Sequence, residues 1–266
     1  MKPPAFIELG DDDTAVLLLH GIGGAAAIWG ERGSGTLQAV AGAGYRAVAL
    51  DFPGYGSAAA DGPPEMARLV LAIAATIEQL QARRVTRVVL VGHSMGGMVA
   101  QEFVATGAGA VHGLVLANTS ASFGKPDGDW QARFIAERLA PLDAGLGMAG
   151  MAAKLVPGLM APTAPARARE MSLALMSQVP EATYRVALRA IAAFDRRAAL
   201  AQIALPTLML AGELDGTAPP AVMKRMAERV AGSEYLCLPG AGHVANLEQP
   251  AAFNAAVLDF LRRHFH

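Results

Sequence analysis

Four strand-length apolar runs punctuate the first half of the chain: Ala15 to Leu19, Tyr45 to Leu50, Thr86 to Val91 and Val111 to Ala117. They are rich in valine and leucine and do not alternate with polar residues. Such runs predict strands buried on both faces, as in a parallel sheet. Between them, Leu37 to Ala43, Pro64 to Gln81 and Met95 to Thr106 read as helices. The rhythm resumes late, with strands at Thr207 to Ala211 and Glu234 to Leu238 and helices at Ala218 to Val230 and Ala251 to His264. Alternating strands and helices predict an α/β fold with a parallel sheet covered on both faces.

Residues 119–202 lose the strand rhythm and read as several short helices. This stretch holds ten Lys/Arg and seven Asp/Glu, a net of +3, which leaves −4 on the remainder. It predicts a helical cap over the carboxyl ends of the strands, where open α/β sheets place their sites. Residues 1–118 and 203–266 then form the body. An ordinary extension of the body is the alternative.

The strongest local signal is Gly92-His-Ser-Met-Gly-Gly97, set between the strand Val88 to Val91 and a helix. A G-x-S-x-G in that setting forces Ser94 into a sharp turn, with its hydroxyl projecting from the strand end. A serine hydroxyl needs a base. His243 lies in a glycine-containing loop between the last strand and the last helix. His20 and His93 sit in tight turns and are expected to hold loops. Asp215, just past the strand Leu208 to Leu210, is the expected partner of His243, and Glu213 is its competitor. The order Ser94, Asp215, His243 is that of α/β-hydrolases. For the oxyanion hole, the backbone N–H of Met95 is expected, with that of Ile22 in His20-Gly-Ile-Gly-Gly24 as the second donor and Gly23 its rival.

Other features read as structural. Asp51-Phe-Pro-Gly-Tyr-Gly-Ser57 has turn chemistry, and Cys237 lies in a predicted strand as a small core residue. One cysteine excludes a disulfide framework and fits a reducing, cytoplasmic setting. A net charge of −1 gives no electrostatic reason to expect nucleic acid. Neither a signal-peptide pattern nor an apolar run of membrane-spanning length is visible. No spacing suggests a metal site or a nucleotide fingerprint, so no metal and no cofactor are expected. In the insert, Trp130 and Arg133 are candidates to face the site, although a solvated arginine is the simpler reading of Arg133. Five methionines (148, 151, 160, 171, 176) could form an adaptable apolar wall.

Together, His20 to Gly24, Asp51 to Ser57, Gly92 to Gly97, Gly212 to Pro219 and Gly240 to His243 resemble the α/β-hydrolase superfamily. The resemblance runs from about residue 15 to the end and is weakest in the insert. Ala117-Asn-Thr-Ser120 and Gly242-His-Val-Ala-Asn-Leu-Glu-Gln-Pro250 are similar to 3-oxoadipate enol-lactonases, small carboxylesterases and meta-cleavage C–C hydrolases. The resemblance implies a Ser94–His243–Asp215 triad, an acyl-enzyme and no cofactor. Many members open with two antiparallel strands. Here Ala5 to Leu9 can supply one, so the mostly parallel sheet is expected to have seven or eight strands. The expected protein is a cytoplasmic hydrolase of a small carboxylic ester or lactone, monomeric or homodimeric. Rival expectations are a C–C bond hydrolase, a cofactor-free haloperoxidase-like enzyme and a slow-turnover ligand receptor.

Overall fold

The computed structural model describes residues 3–60, 62–107, 109–124 and 129–266. Among them the sheet has seven strands: β1 (Ala5–Leu9), β2 (Thr14–Leu19), β3 (Arg46–Asp51), β4 (Arg87–His93), β5 (Gly113–Ala117), β6 (Thr207–Gly212) and β7 (Glu234–Leu238). Their spatial order is β1-β3-β2-β4-β5-β6-β7. Only the edge strand β1 runs antiparallel, pairing Ala5 with Asp51 and Leu9 with Ala47 of β3.

Every residue of β2, β3, β5 and β6 is buried, and apart from Thr14, Arg46, Asp51 and Thr207 at their ends these strands are apolar. The edges differ. Ile7 and Leu9 of β1 and Leu236 of β7 are exposed. A strand that lacks a neighbour on one side also lacks full cover.

The body helices are α1 (Thr36–Gly42), α2 (Met66–Gln81), α3 (Met95–Thr106), α8 (Pro220–Ala227), α9 (Ala245–Glu248) and α10 (Pro250–His264). From β2 the chain steps one way to β3. It then returns past β2 to β4 and continues outward to β5. Right-handed crossovers place helices on opposite faces when the direction of travel reverses. Accordingly α1 packs with α10, and α2 packs with α3.

Between β5 and β6 lie α4 (Trp130–Asp143), α5 (Gly147–Leu159), α6 (Ala166–Gln178) and α7 (Glu181–Ala192). The two ends of this insert are tied together. Phe123 N–H donates to Phe194 O at 3.1 Å, and Arg196 N–H donates to Ala121 O at 2.7 Å. No helix of the described residues is long and apolar enough to cross a membrane.

Several boundaries depart from the sequence expectation: β4 runs on to His93, β5 starts at Gly113 rather than Val111, and α8 starts at Pro220 rather than Ala218. Helix α2 starts at Met66 rather than Pro64. The Pro63-Pro64 pair disfavours helical backbone before it, and Glu65 is still extended at φ −69°, ψ 158°. Helix α8 stops at Ala227, three residues short of Val230. The short helix α9, just after His243, was not expected.

Candidate active site

Strand β4 delivers Ser94 directly into α3. Ser94 has φ 53° and ψ −117°, a strained conformation for a non-glycine residue. The neighbouring chain explains both flanking glycines. A Cβ on Gly92 would lie 2.6 Å from Gly96 O, and one on Gly96 would strike the Leu19 carbonyl at the end of β2. The turn is pinned on both sides of the serine. Ser94 N–H donates to Ala117 O at 3.0 Å, and Thr119 Oγ1 donates to Ser94 O at 2.8 Å.

His243 stands over Ser94. Its Nε2 is 2.9 Å from Ser94 Oγ, and its Nδ1 is 2.9 Å from Asp215 Oδ2. With the proton assigned to Nδ1, that nitrogen donates to Asp215 and Nε2 accepts from the serine hydroxyl. The histidine loop is held by the buried carboxylate of Glu248. Its Oε2 accepts from Gly242 N–H (3.0 Å) and Ala161 N–H (2.8 Å), and its Oε1 accepts from Val244 N–H (3.0 Å). His93 adds a second tether, with its Nε2 2.7 Å from His243 O.

Asp215 is buried at 3% exposure and accepts four hydrogen bonds. Oδ1 takes Thr217 N–H and Ala218 N–H, each at 2.8 Å. Oδ2 takes His243 and Asn118 Nδ2, the latter at 3.0 Å. Burial pushes the carboxyl pKa up. The charge and hydrogen bond of His243, with the bonds from Ala218 and Asn118, outweigh burial and hold it well below the usual carboxylate range. Glu213, the competitor, turns away and accepts from Gly240 N–H at 2.8 Å.

The loop after β2 closes on itself, with Gly24 N–H donating to Gly21 O at 3.0 Å. His20 fastens it. Nδ1 lies 2.8 Å from Gly21 O, and Nε2 accepts from Phe52 N–H at 3.2 Å. Ile22 and Met95 both line the cavity beside Ser94, and the N–H of neither meets an acceptor among the described residues. The Gly23 N–H shares that property. Asp51 accepts from Ala26 N–H, Ser57 N–H and Ser57 Oγ, which is turn chemistry.

The cavity, of about 120 Å³, has Ser94 and His243 on one side and residues of α4, α5, α6 and α7 on the other. Two insert residues expected to face it do not. Trp130 stacks on Phe134 with ring centroids 5.3 Å apart and the planes 11° from parallel, and it contributes nothing to the cavity wall. Arg133 is exposed. For Trp130 the reason is its place at the first residue of α4, one turn short of the cavity on the same stripe as Phe134; for Arg133 it is helical register. Phe134 and Arg138, four residues apart on α4, form the stripe that reaches the cavity, and Arg133 lies about 100° around the helix from Phe134. Of the five insert methionines, only Met176 lines the cavity. Met148, Met151 and Met160 are buried and pack in the core, and Met171 packs partly buried against it.

The roles of Asn118 and Glu248 were not evident from sequence. Asn118 follows β5 with φ 47°, and its amide bridges Asp215 Oδ2 and Gly242 O (3.1 Å). Its position at the end of the strand between β4 and β6 was the available signal. Glu248 sits one turn beyond His243 in a segment that reads as loop.

A buried acid, a histidine and a serine on a strand-to-helix turn, at the carboxyl ends of a mostly parallel sheet, define the α/β-hydrolase class. The family model described as "Alpha/beta hydrolase family" matches residues 16–256, and the chain belongs to this family of hydrolases. It is 35% identical over 261 residues to a putative carbamate hydrolase RutD of Variovorax paradoxus (strain S110), covering 95% of this chain and 93% of that protein. It is 28% identical over 220 residues to 3-oxoadipate enol-lactonase 2 of Acinetobacter baylyi, covering 82% and 79%. Among solved structures, a thermophilic esterase from Thermogutta terrifontis superposes with TM-score 0.83 at 26% identity, covering 99% of this chain and 94% of that one.

Proposed function

We propose that the protein hydrolyses carboxylic esters or lactones through an acyl-enzyme on Ser94. The unbroken hydrogen-bond chain from Ser94 Oγ through His243 to Asp215, each link 2.9 Å, carries this reading. Ser94 Oγ attacks the carbonyl carbon as His243 Nε2 takes the hydroxyl proton. Asp215 holds the imidazole in register and stabilises the imidazolium. The developing oxyanion receives the Ile22 and Met95 N–H groups, which have no described partner. Collapse expels the alkoxide, which takes the proton from His243. A water then gives a proton to His243 and attacks the acyl carbon, releasing the acid and restoring Ser94.

In this proposal residues 119–202 act as the cap that shapes the pocket for the acyl or alcohol group. Its wall is apolar at Phe134, Leu155, Leu175, Met176 and Leu188, which suits a small organic ester. The similarity to a putative carbamate hydrolase supports carbamates as further acyl substrates of the same serine. A single cysteine leaves no pair for an internal disulfide, which is compatible with the cytoplasmic location proposed here.

The test is hydrolysis of p-nitrophenyl butyrate by the wild type and by Ser94→Ala. Turnover that disappears with the hydroxyl is expected. Turnover that survives the substitution would remove Ser94 from the mechanism.

A further inference from the structure

Arg138 of α4 brings a permanent charge to a cavity wall on which no aspartate or glutamate lies. Among the described residues its guanidinium is half-buried, meets no carboxylate and donates no hydrogen bond. Its contact is with the Phe134 ring, 5.2 Å from the centroid. A partly desolvated cation without an anion is an unfavourable arrangement that an incoming anion relieves.

A second observation points the same way. Ser172 of α6 lines the same cavity at 9% exposure, and its Oγ has no hydrogen-bond partner. Tyr184 of α7 also lines it and feels the charge of Arg138. Burial pushes the Tyr184 hydroxyl up to about 12, so it remains a neutral donor. The cap wall thus offers one cation and two hydroxyls in otherwise apolar surroundings.

We propose that Arg138 receives an ionised carboxylate of the substrate, with the Tyr184 and Ser172 hydroxyls as further polar contacts on the cap wall. The substrate is then an ester or lactone that carries a second, free carboxylate, joined to the reacting carbonyl by a short carbon chain. One fixed positive charge matches a carboxylate monoanion and leaves a phosphate dianion half-neutralised. The guanidinium fork also suits a planar carboxylate. This inference rests on the proposed ester hydrolysis at Ser94.

The test compares monomethyl succinate, monomethyl glutarate and monomethyl adipate with methyl butanoate, methyl pentanoate and methyl hexanoate. For the wild type, kcat/KM is expected to favour the half-ester at the best chain length. Arg138→Met should cut the half-ester-to-neutral ratio by about 10- to 100-fold, with Arg138→Lys in between. The ratio cancels any loss of folded enzyme. A ratio that Arg138→Met leaves unchanged, or a wild type that favours the neutral ester, overturns the subsite while hydrolysis at Ser94 stands. If neither ester series turns over, calorimetry decides. Ser94→Ala protein that binds monomethyl adipate about tenfold or more tighter than Ser94→Ala/Arg138→Met keeps the subsite and refutes the hydrolysis. Equal binding refutes the subsite as well.

Discussion

Asn118 Nδ2 stands 3.0 Å from Asp215 Oδ2, the same oxygen that receives His243 Nδ1. The amide also donates to Gly242 O, beside the histidine. One side chain from the end of β5 therefore ties the acid loop to the base loop.

Asn118 also lines the cavity, but both its amide hydrogen bonds go to Asp215 and Gly242, so removing the amide should act mainly by loosening the acid. Asn118→Gly is the suitable variant, because glycine accepts the φ of 47° without strain. Its kcat on p-nitrophenyl butyrate is expected to fall about 10- to 100-fold with KM nearly constant, as for loss of a bond to a charged group. A rise in KM at constant kcat would place Asn118 in substrate binding instead.

The two carboxyl residues of the loop after β6 should behave oppositely. Asp215→Asn leaves shape intact but disturbs the His243 tautomer, and kcat is expected to drop by about 10⁴-fold. Glu213→Gln keeps an acceptor for Gly240 N–H and should turn over like the wild type. Comparable losses in both variants would contradict the assignment of the acid.

Glu248 is the anchor between the histidine loop and the insert, through Ala161, Gly242 and Val244. Glu248→Ala leaves those buried N–H groups without an acceptor. Unfolding free energy should fall by roughly 3 kcal/mol or more in urea denaturation, with a matching loss of kcat. Glu248→Gln keeps one acceptor oxygen and should fall between. A fully stable Glu248→Ala would show that water replaces the carboxylate.

Acid should destabilise the fold in a defined window. Burial, and then the charge of His243, lower the pKa of His93 from 6.5 to about 4. Burial also lowers that of His20. Between about 4 and 6.5 the unfolded chain binds a proton that folded His93 refuses, so stability rises with pH there. It is fully present above 6.5 and is lost as pH falls toward 4, by roughly 3 kcal/mol for His93. Asp215, with its lowered pKa, adds loss of the same sign below its ordinary 3.8. Tm followed by circular dichroism should decline through this window, less steeply in His93→Gln. A flat Tm in the wild type would contradict the buried neutral histidines.

The body of the fold was legible because burial on both faces writes itself as unbroken apolar runs. Val16 to Leu19 and Val88 to Val91 could hardly be anything but inner strands. Helix α3 was read at both ends because Ser94 opens it and Gly107 closes it in the left-handed conformation. The positions of Ser94, Asp215 and His243 were legible because each follows a strand at the sheet's carboxyl edge. The insert was less legible. Its helices bury one stripe against the body and another against each other, so apolar residues mark two faces at once. Phe134 and Arg138 reach the cavity while Trp130 and Arg133 do not, and that depends on where packing sets α4 along its axis, for Trp130, and about it, for Arg133. Asn118 ties two loops with two hydrogen bonds, and Glu248 accepts three, one of them from Ala161 far along the chain; no local sequence pattern marks such links.

The most direct measurement is the site of covalent capture by an ester-like phosphonate. The protein is treated with a p-nitrophenyl alkylphosphonate, digested, and the adduct mapped by mass spectrometry. One adduct per chain on Ser94 is expected, formed at a rate that collapses in His243→Ala. An adduct on another residue, or ester turnover that persists in unlabelled protein after exhaustive treatment, would contradict a Ser94 nucleophile.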